Sequence, residues 1–195
     1  MASGKLLVGD KDCILLLPAT EILGIPNVFG ATGLVPFDEL EAADYNKYIS
    51  IVTNASTGWG AGGNVTCAIQ DDFTLGSTDP EVDDTKTVCS KGSSGAIKRY
   101  NFEAEFSIFR DATIGSTSSV FEMASDLVRA ADIPYIIAHR IGYSSDTVAA
   151  VGHEWNLYYV FTDNPVDTAG DDEWQMRVQT FVPKNIISYN QEVSA

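Results

Sequence analysis

Apolar and polar residues alternate through the centre of the chain, and the pattern predicts a strand followed by a helix. In residues 101–108 every second side chain is apolar, which is typical of a strand with one buried face. Further along, apolar side chains recur three and four positions apart, as on one face of an amphipathic helix. We predict a helix at about 119–132, with a capping box of Ser119 and Glu122 at its start and Pro134 after its end.

Most of the remaining chain indicates strands and turns rather than helices. A strand that begins at His153 is predicted to place two sets of side chains on opposite faces: His153, Trp155, Leu157, Tyr159 and Phe161 on one, and Glu154, Asn156 and Tyr158 on the other. The last strand is predicted to turn Trp174, Met176 and Val178 inward and Gln175, Arg177 and Gln179 outward. Further strands are expected at residues 13–17, 48–53, 64–70 and 135–138. This pattern predicts a mainly β (α+β) fold, a β-sandwich or partly closed barrel with one flanking α-helix, in a single domain over residues 1–195.

Three segments lack a regular pattern: an N-terminal arm at 1–12, a long apolar loop at 18–46 and an acidic loop at 71–95. Glycine and proline interrupt the apolar loop, yet it holds more apolar side chains than a solvated loop should. Either it folds back over its own core or a neighbouring copy of the protein covers it. The candidates for such an interface between subunits are Ile22, Leu23, Ile25, Val28, Phe29, Leu34, Val35 and Phe37.

The net charge of the chain argues against some classes of binding partner. Its 195 residues include 12 basic and 27 acidic side chains, a formal net charge of −15. Such a surface repels nucleic-acid phosphate and anionic membranes, which argues against a DNA-binding protein. Cys13, Cys67 and Cys89 lack metal-site spacing, so free thiols are expected. No secretory signal or membrane span is evident, so we expect a protein made and kept soluble inside a cell.

The sequence contains little evidence for a catalytic site. His153 and Glu154 begin the H-E-x-x-H pattern of metalloproteases, but Leu157 stands where the second histidine should be. Neither a G-x-S-x-G elbow nor a phosphate-binding loop occurs. Glu103 and Glu105 share one face of a strand, where a solvated polar face is favoured over acid–base catalysis. We predict no catalytic residue, cofactor or metal site, although a loose cation site in the acidic loop stays an alternative.

Four stretches of the chain resemble one protein family, the major tail proteins or tail tube proteins of long-tailed (siphovirus-type) phages that infect actinobacteria. They are DFTLGSTDPEVDDTKTVC at 72–89, YNFEAEFSIFRD at 100–111, IPYIIAHRIG at 133–142 and VFTDNPVD at 160–167. The resemblance implies a β-sandwich-like fold with a flanking helix. It also implies hexameric rings that stack into a tube around a tape measure protein, with strands of each copy lining the lumen. The tube delivers DNA to the host.

The resemblance also implies a place and partners. The protein would belong to the virion tail after assembly in the host cytoplasm, with tail terminator and distal tail or baseplate proteins at the tube ends. DNA would pass transiently and non-specifically, and no membrane would be bound. Acidic side chains suit such a conduit because they do not grip phosphate. Candidates for the lumen are Glu103, Glu105, Asp71 and Asp72.

Three alternatives stay open at the level of sequence. A tail terminator or connector would form a single ring that does not polymerise. A monomeric β-sandwich binding module would present an exposed tryptophan such as Trp59 or Trp174 to a sugar. A small hydrolase would need a concave site with a perturbed carboxylate.

Overall fold

The computed structural model describes residues 11–19, 40–49, 61–83, 96–168 and 174–193. Within these ranges it has two α-helices, α1 (Ala42–Ile49) and α2 (Val120–Leu127), and a 3-10 helix (Thr66–Ala68). The strands are β1 (Asp12–Pro18), β2 (Gly63–Asn64), β3 (Thr74–Asp83), β4 (Ala96–Phe109), β5 (Pro134–Ile141), β6 (Glu154–Thr162), β7 (Val166–Thr168) and β8 (Met176–Glu192).

One long strand, β8, connects two antiparallel sheets. Its first part pairs with β4 on one side and β7 on the other, and its second part pairs with β6. We call β7-β8-β4-β3 the front sheet and β2-β1-β5-β6-β8 the back sheet, following their hydrogen-bonded order. The fold is therefore mainly β with a large antiparallel sheet, and the predicted β-sandwich-like class is confirmed.

The back sheet is covered on both faces. Cys13–Leu17 of β1 is buried at every position, because alternate side chains enter two different cores. On one face, Leu15 and Leu17 pack with Trp155 and with Tyr45 of α1. On the other face lie the front sheet and α2, with Ile14, Leu16, Phe106, Ile108 and Leu127 among the packed side chains. This double coverage explains why β1 is an unbroken apolar run.

Helix α1 (Ala42–Ile49) occupies the end of the predicted apolar loop and the start of the strand expected at 48–53, so both predictions are wrong over these residues. Tyr45, Tyr48 and Ile49 are buried at the three- and four-residue spacing of a helix. At its start, the Asp44 carboxylate accepts the backbone N–H of Glu41 at 3.0 Å. Two helices rather than one therefore flank the sheets of the described residues. The interface candidates from Ile22 to Phe37 lie outside the described residues.

Two further segments differ from the predictions. The acidic loop is a strand over Thr74–Asp83, which pairs with β4, and the expected strand at 64–70 holds only a two-residue strand and the 3-10 helix. Helix α2 ends at Leu127, earlier than predicted, and Asp132 beyond it has a left-handed backbone with φ of 62°. No helix in the described part of the chain is long and apolar enough to cross a membrane.

The predicted capping box of α2 is wrong, because tertiary partners take both side chains. The hydroxyl of Ser119 donates to the Asp111 carboxylate at 2.6 Å, and it makes no cap hydrogen bond. Glu122 accepts the backbone N–H of Gly115 at 3.0 Å and contacts Arg110. Both residues fasten the loop that precedes the helix.

The predicted facing of β8 is inverted. Gln179 and Phe181 are buried, while Trp174, just before the strand, is 80% exposed. The buried amide of Gln179 donates to the carbonyls of Asp163 and Thr180, so a polar side chain is accommodated inside. In β6, Trp155 and Leu157 of the predicted face are buried, while His153, Tyr159 and Phe161 of that face are half-buried. Side chains of the opposite face are buried too, since the back sheet has two cores: Tyr158, Val160 and Thr162.

Candidate assembly surfaces

The outer face of the front sheet carries two of the predicted lumen residues. Ala104, Phe106 and Ile108 of β4 point into the core, whereas Glu103 and Glu105 are exposed. This alternation follows from the strand's period of two.

Neighbouring strands add small polar side chains around the acidic ones. The antiparallel register places Thr74 of β3 and Thr180 of β8 on either side of Glu105. The Thr180 hydroxyl donates to the Glu105 carboxylate at 3.0 Å. The middle of this face is therefore polar and acidic.

The other two lumen candidates lie beside this sheet. Asp71 and Asp72 are exposed in the turn that precedes β3. Thr74, two residues further, pairs with Glu105, so the turn lies at the border of the front sheet next to that glutamate. The structure thus brings all four predicted acidic residues to one region of the surface.

Both borders of the front sheet are open within the described residues. β3 pairs with β4 on one side, and β7 pairs with β8 on one side. Their outer edges present backbone N–H and C=O groups that can accept another strand.

The front sheet ends in a loop region that two arginines organise, which we call the paired-arginine end. Arg177 binds the Asp167 carboxylate through Nε at 2.8 Å and Nη2 at 3.1 Å. Arg110 reaches Asp167 at 3.2 Å and Glu122 at 3.4 Å. The hydrogen bond from Arg177 is the main cause that lowers the pKa of Asp167 below its usual range. The network ties β4, α2, β7 and β8 together.

Large apolar side chains are exposed around this network. Ile114 is 79% and Trp174 80% exposed, in the loops after β4 and before β8. The backbone N–H of Arg110 donates to the carbonyl of Gln175, so these two loops lie side by side. Val166 and Phe121 add to the exposed apolar surface.

A third arginine organises the opposite end, which we call the Arg140 end: the loop over residues 142–153 between β5 and β6. Arg140 is only 1% exposed. Its guanidinium donates to the carbonyls of Thr147 at 2.6 Å and Ser144 at 3.4 Å, and to Nδ1 of His153 at 3.1 Å. Its Cζ lies 4.7 Å from the ring centroid of Trp155, a cation–π contact.

The surroundings of Arg140 shift the pKa values of two neighbouring side chains, His153 and Cys13. Burial, and then the charge of Arg140, lower the pKa of His153, whose Nδ1 must stay unprotonated to accept the arginine's N–H. Burial raises the pKa of the Cys13 thiol to about 11, despite the opposing charge of Arg140. Cys13 is therefore a neutral thiol at neutral pH, and it donates to the carbonyl of Ser145 at 3.5 Å.

Two asparagines brace the same loop from neighbouring elements. Asn46 of α1 makes a two-way contact with Ala149, donating to its carbonyl at 3.0 Å and accepting its N–H at 2.6 Å. Asn64 of β2 donates to the carbonyl of Ser145 at 2.7 Å. Val148 and Val151, which this loop carries, are 64% and 61% exposed.

The sequence prediction missed both arginine clusters. Arg140 falls in an apolar strand without a periodic signal for burial, and its loop partners are backbone carbonyls that a sequence does not mark. Arg177 was predicted to face outward, although its guanidinium reaches the carbonyl of Ser125 in α2 at 3.1 Å. For α1, by contrast, the spacing of Tyr45, Tyr48 and Ile49 is a signal that could have been recognised.

Comparison with known proteins identifies the family. A family model described as Phage tail tube protein matches residues 43–195, from the second residue of α1 through β8. Comparison with curated proteins finds no match. The family is structural and non-enzymatic, and its proteins assemble into the tube of the virion tail. The expectation of a structural virion protein is thereby confirmed, while the actinobacterial host stays a prediction. Since the match spans most of the chain, this protein belongs to the phage tail tube protein family.

Proposed function

We propose that copies of this protein close into hexameric rings, and that the rings stack into a tube that conducts DNA to the host. The observation that carries the proposal is the front sheet, which combines an acidic outer face with two edges that no described strand covers. In this assembly the tape measure protein occupies the lumen, and tail terminator and distal tail or baseplate proteins close the two ends. Assembly takes place in the host cytoplasm.

Strand direction supports ring closure. All pairings in the order β7-β8-β4-β3 are antiparallel, so β7 and β3 run in opposite directions. A rotation that repeats the subunit around a ring places β3 of one copy beside β7 of the next. These two strands are then antiparallel, and the alternation of the sheet continues unbroken from copy to copy. Four strands of each copy form the inner wall.

The length of β7 indicates that backbone pairing is not the whole junction. β7 has three residues, so it offers only a short ladder to a neighbour. Side-chain contacts must supply the rest of the stability. The apolar residues from Ile22 to Phe37 are proposed as their source.

Charge supports the assignment of the lumen. In the proposed ring the outer face of the front sheet lines the channel and repeats Glu103 and Glu105 around it, with Asp71 and Asp72 at its border. Like charges repel the phosphates of passing DNA over about 8 Å at physiological salt. The DNA therefore passes without being held.

Size-selective labelling tests this arrangement. Glu103→Cys is prepared in a background with Cys67→Ser and Cys89→Ser, and Glu41→Cys, exposed beside α1, is the matched control. In assembled tubes we expect a small maleimide to label both positions, and a long polyethylene-glycol maleimide to label only position 41. End-on electron micrographs of the same tubes should show six copies per ring.

Three outcomes contradict the proposal in different ways. A protein that stays monomeric at millimolar concentration excludes ring formation. Rings that never stack indicate a terminator or connector instead. Equal labelling of position 103 by both reagents shows that the acidic face lies outside the tube.

A further inference from the structure

The two ends of β8 carry separate exposed apolar patches. The paired-arginine end, at the start of β8, presents Ile114 and Trp174. The Arg140 end presents Val148 and Val151, and it adjoins the other end of β8, because the N–H of Val193 donates to the carbonyl of His153 at 2.9 Å. The 17 residues of β8 between them have a contour of roughly 55 Å at the usual rise per strand residue.

Resting on the proposed function, we propose that these patches are the two halves of the contact between successive rings. The paired-arginine end of one copy docks on the Arg140 end of a copy in the next ring. A tube that grows without limit along its axis needs two different surfaces on each subunit, one at each end, in a head-to-tail contact. The two patches lie at opposite ends of the β5–β6 hairpin as well as of β8, as such a contact requires.

A cavity at the Arg140 end suits the most exposed side chain of the opposite patch. It measures about 410 Å³, a size at which pockets commonly hold small organic molecules, so its volume is sufficient for an indole. Its lining includes Ile141, Tyr143, Gly152, Glu154 and Asn156. The apolar and aromatic groups suit the indole ring, and the Glu154 carboxylate is an acceptor for the indole N–H. Trp174 is therefore assigned as the residue that inserts into the neighbouring ring.

The loops that carry Val148, Val151 and Ile114 are held in shape before docking, which lowers the entropy that a contact must overcome. Arg140, Asn46 and Asn64 fix the loop that carries Val148 and Val151. Glu122 fixes the loop of Ile114 through the N–H of Gly115.

A complementation experiment tests the proposal. Ile114→Asp/Trp174→Asp disables one end, and Val148→Asp/Val151→Asp disables the other. All four side chains are more than 60% exposed, so both variants should fold with unchanged far-UV circular dichroism. Val182→Asp, at a 42%-exposed site within β8, is the matched control.

We expect each double variant alone to form single rings, and the control to form tubes like the natural protein. Mixed in equal amounts, the two double variants should form stacks of two rings and no longer ones, doubling the particle mass in light scattering. Tubes formed by either double variant alone would overturn the proposal and assign that patch to another tail component or to the protein's own chain. Single rings that fail to pair on mixing would overturn the head-to-tail assignment while the ring itself stands. Absence of rings in the natural protein would overturn the proposed function and this contact together.

Discussion

Arginine organises both ends of this molecule, but its charge is balanced in two different ways. At the paired-arginine end, Arg110 and Arg177 share the carboxylate of Asp167, which is 45% exposed, and Arg110 also contacts Glu122. At the Arg140 end, the described residues supply no ion pair to the guanidinium. Backbone carbonyls, the His153 ring and two aromatic faces surround it instead.

The two arrangements contribute to the stability of the protein in different ways. The ion pairs of the half-exposed Asp167 contribute little stability and are weakened by salt, whereas Arg110 and Glu122 form a buried pair at the same end. A buried guanidinium has lost its hydration, so each carbonyl that accepts its N–H groups helps to offset a large desolvation cost. In the loop over residues 142–153, the carbonyls of Thr147 and Ser144 both accept from this guanidinium. Arg140 therefore holds the loop in this conformation, and removing it would leave buried carbonyls without a donor.

Removing the buried charge should have the largest effect. Arg140→Met leaves the carbonyls of Thr147 and Ser144 without their donor, and we expect the free energy of unfolding to fall by about 3 kcal/mol. Urea denaturation measures the loss, and hydrogen exchange should show it first in residues 142–153. Arg129→Met, at an exposed i,i+3 ion pair with Asp126, is the control and should stay within about 0.5 kcal/mol of the natural protein. A similar loss in both variants would contradict the special role of Arg140.

Removing a shared carboxylate should have a smaller, salt-dependent effect. Asp167→Asn keeps the shape of the side chain but removes the charge that Arg177 and Arg110 share. We expect a loss of about 1 kcal/mol at low salt that shrinks in 1 M salt, where the Debye length is about 3 Å. The effect of Arg140→Met should not change with salt. Equal salt dependence of the two variants would show that both ends are solvated alike.

Acid should destabilise the two ends in different pH ranges. The folded state lowers the pKa of His153 below its usual value of about 6.5, so its contribution is complete above that pH and is lost as the pH falls through the lower folded value. The pKa of Asp167 is lowered too, so its contribution is present above about pH 4 and is lost only below it. Hydrogen exchange, corrected for its intrinsic pH dependence, should show residues 142–153 opening first.

His153→Gln provides the control for the pH prediction. Glutamine can accept the N–H of Arg140 through its carbonyl oxygen but does not titrate. Opening of residues 142–153 should then lose its dependence on pH between 7 and 5. An unchanged dependence would assign it to another group.

The smallest effect is expected at the stacked ring beside Trp155. Tyr45 stacks on that indole with ring centroids 4.6 Å apart, and its buried hydroxyl has no hydrogen-bond partner among the described residues. Tyr45→Phe keeps the stack and removes the hydroxyl, so thermal unfolding should show no loss of stability and a gain of up to about 1 kcal/mol. A clear loss would indicate a partner for the hydroxyl elsewhere in the chain.

Prediction from the sequence succeeded where one local pattern decides the structure. The alternation around Phe106 and the buried run of β1 identify strands, and exposed Glu103 and Glu105 follow from the same alternation. It failed where the partner is distant in sequence. The facing of β8 depends on which neighbours cover each side, and Gln179 is buried because the carbonyl of Asp163 accepts its amide. Ser119 does not cap α2 because its hydroxyl donates to the Asp111 carboxylate instead.

The sequence by itself determined the mainly β class, the approximate place of α2, the acidic character and the resemblance to tail tube proteins, because periodicity, charge and motif are local properties. Only the folded structure shows that β8 joins two sheets, that β3 and β7 border one of them without an outer partner among the described strands, and that Arg140 is buried beneath a loop of carbonyls. Those features depend on pairing between residues far apart in the chain. Pairing of that kind is selected by the packing of the whole core and not by any single segment.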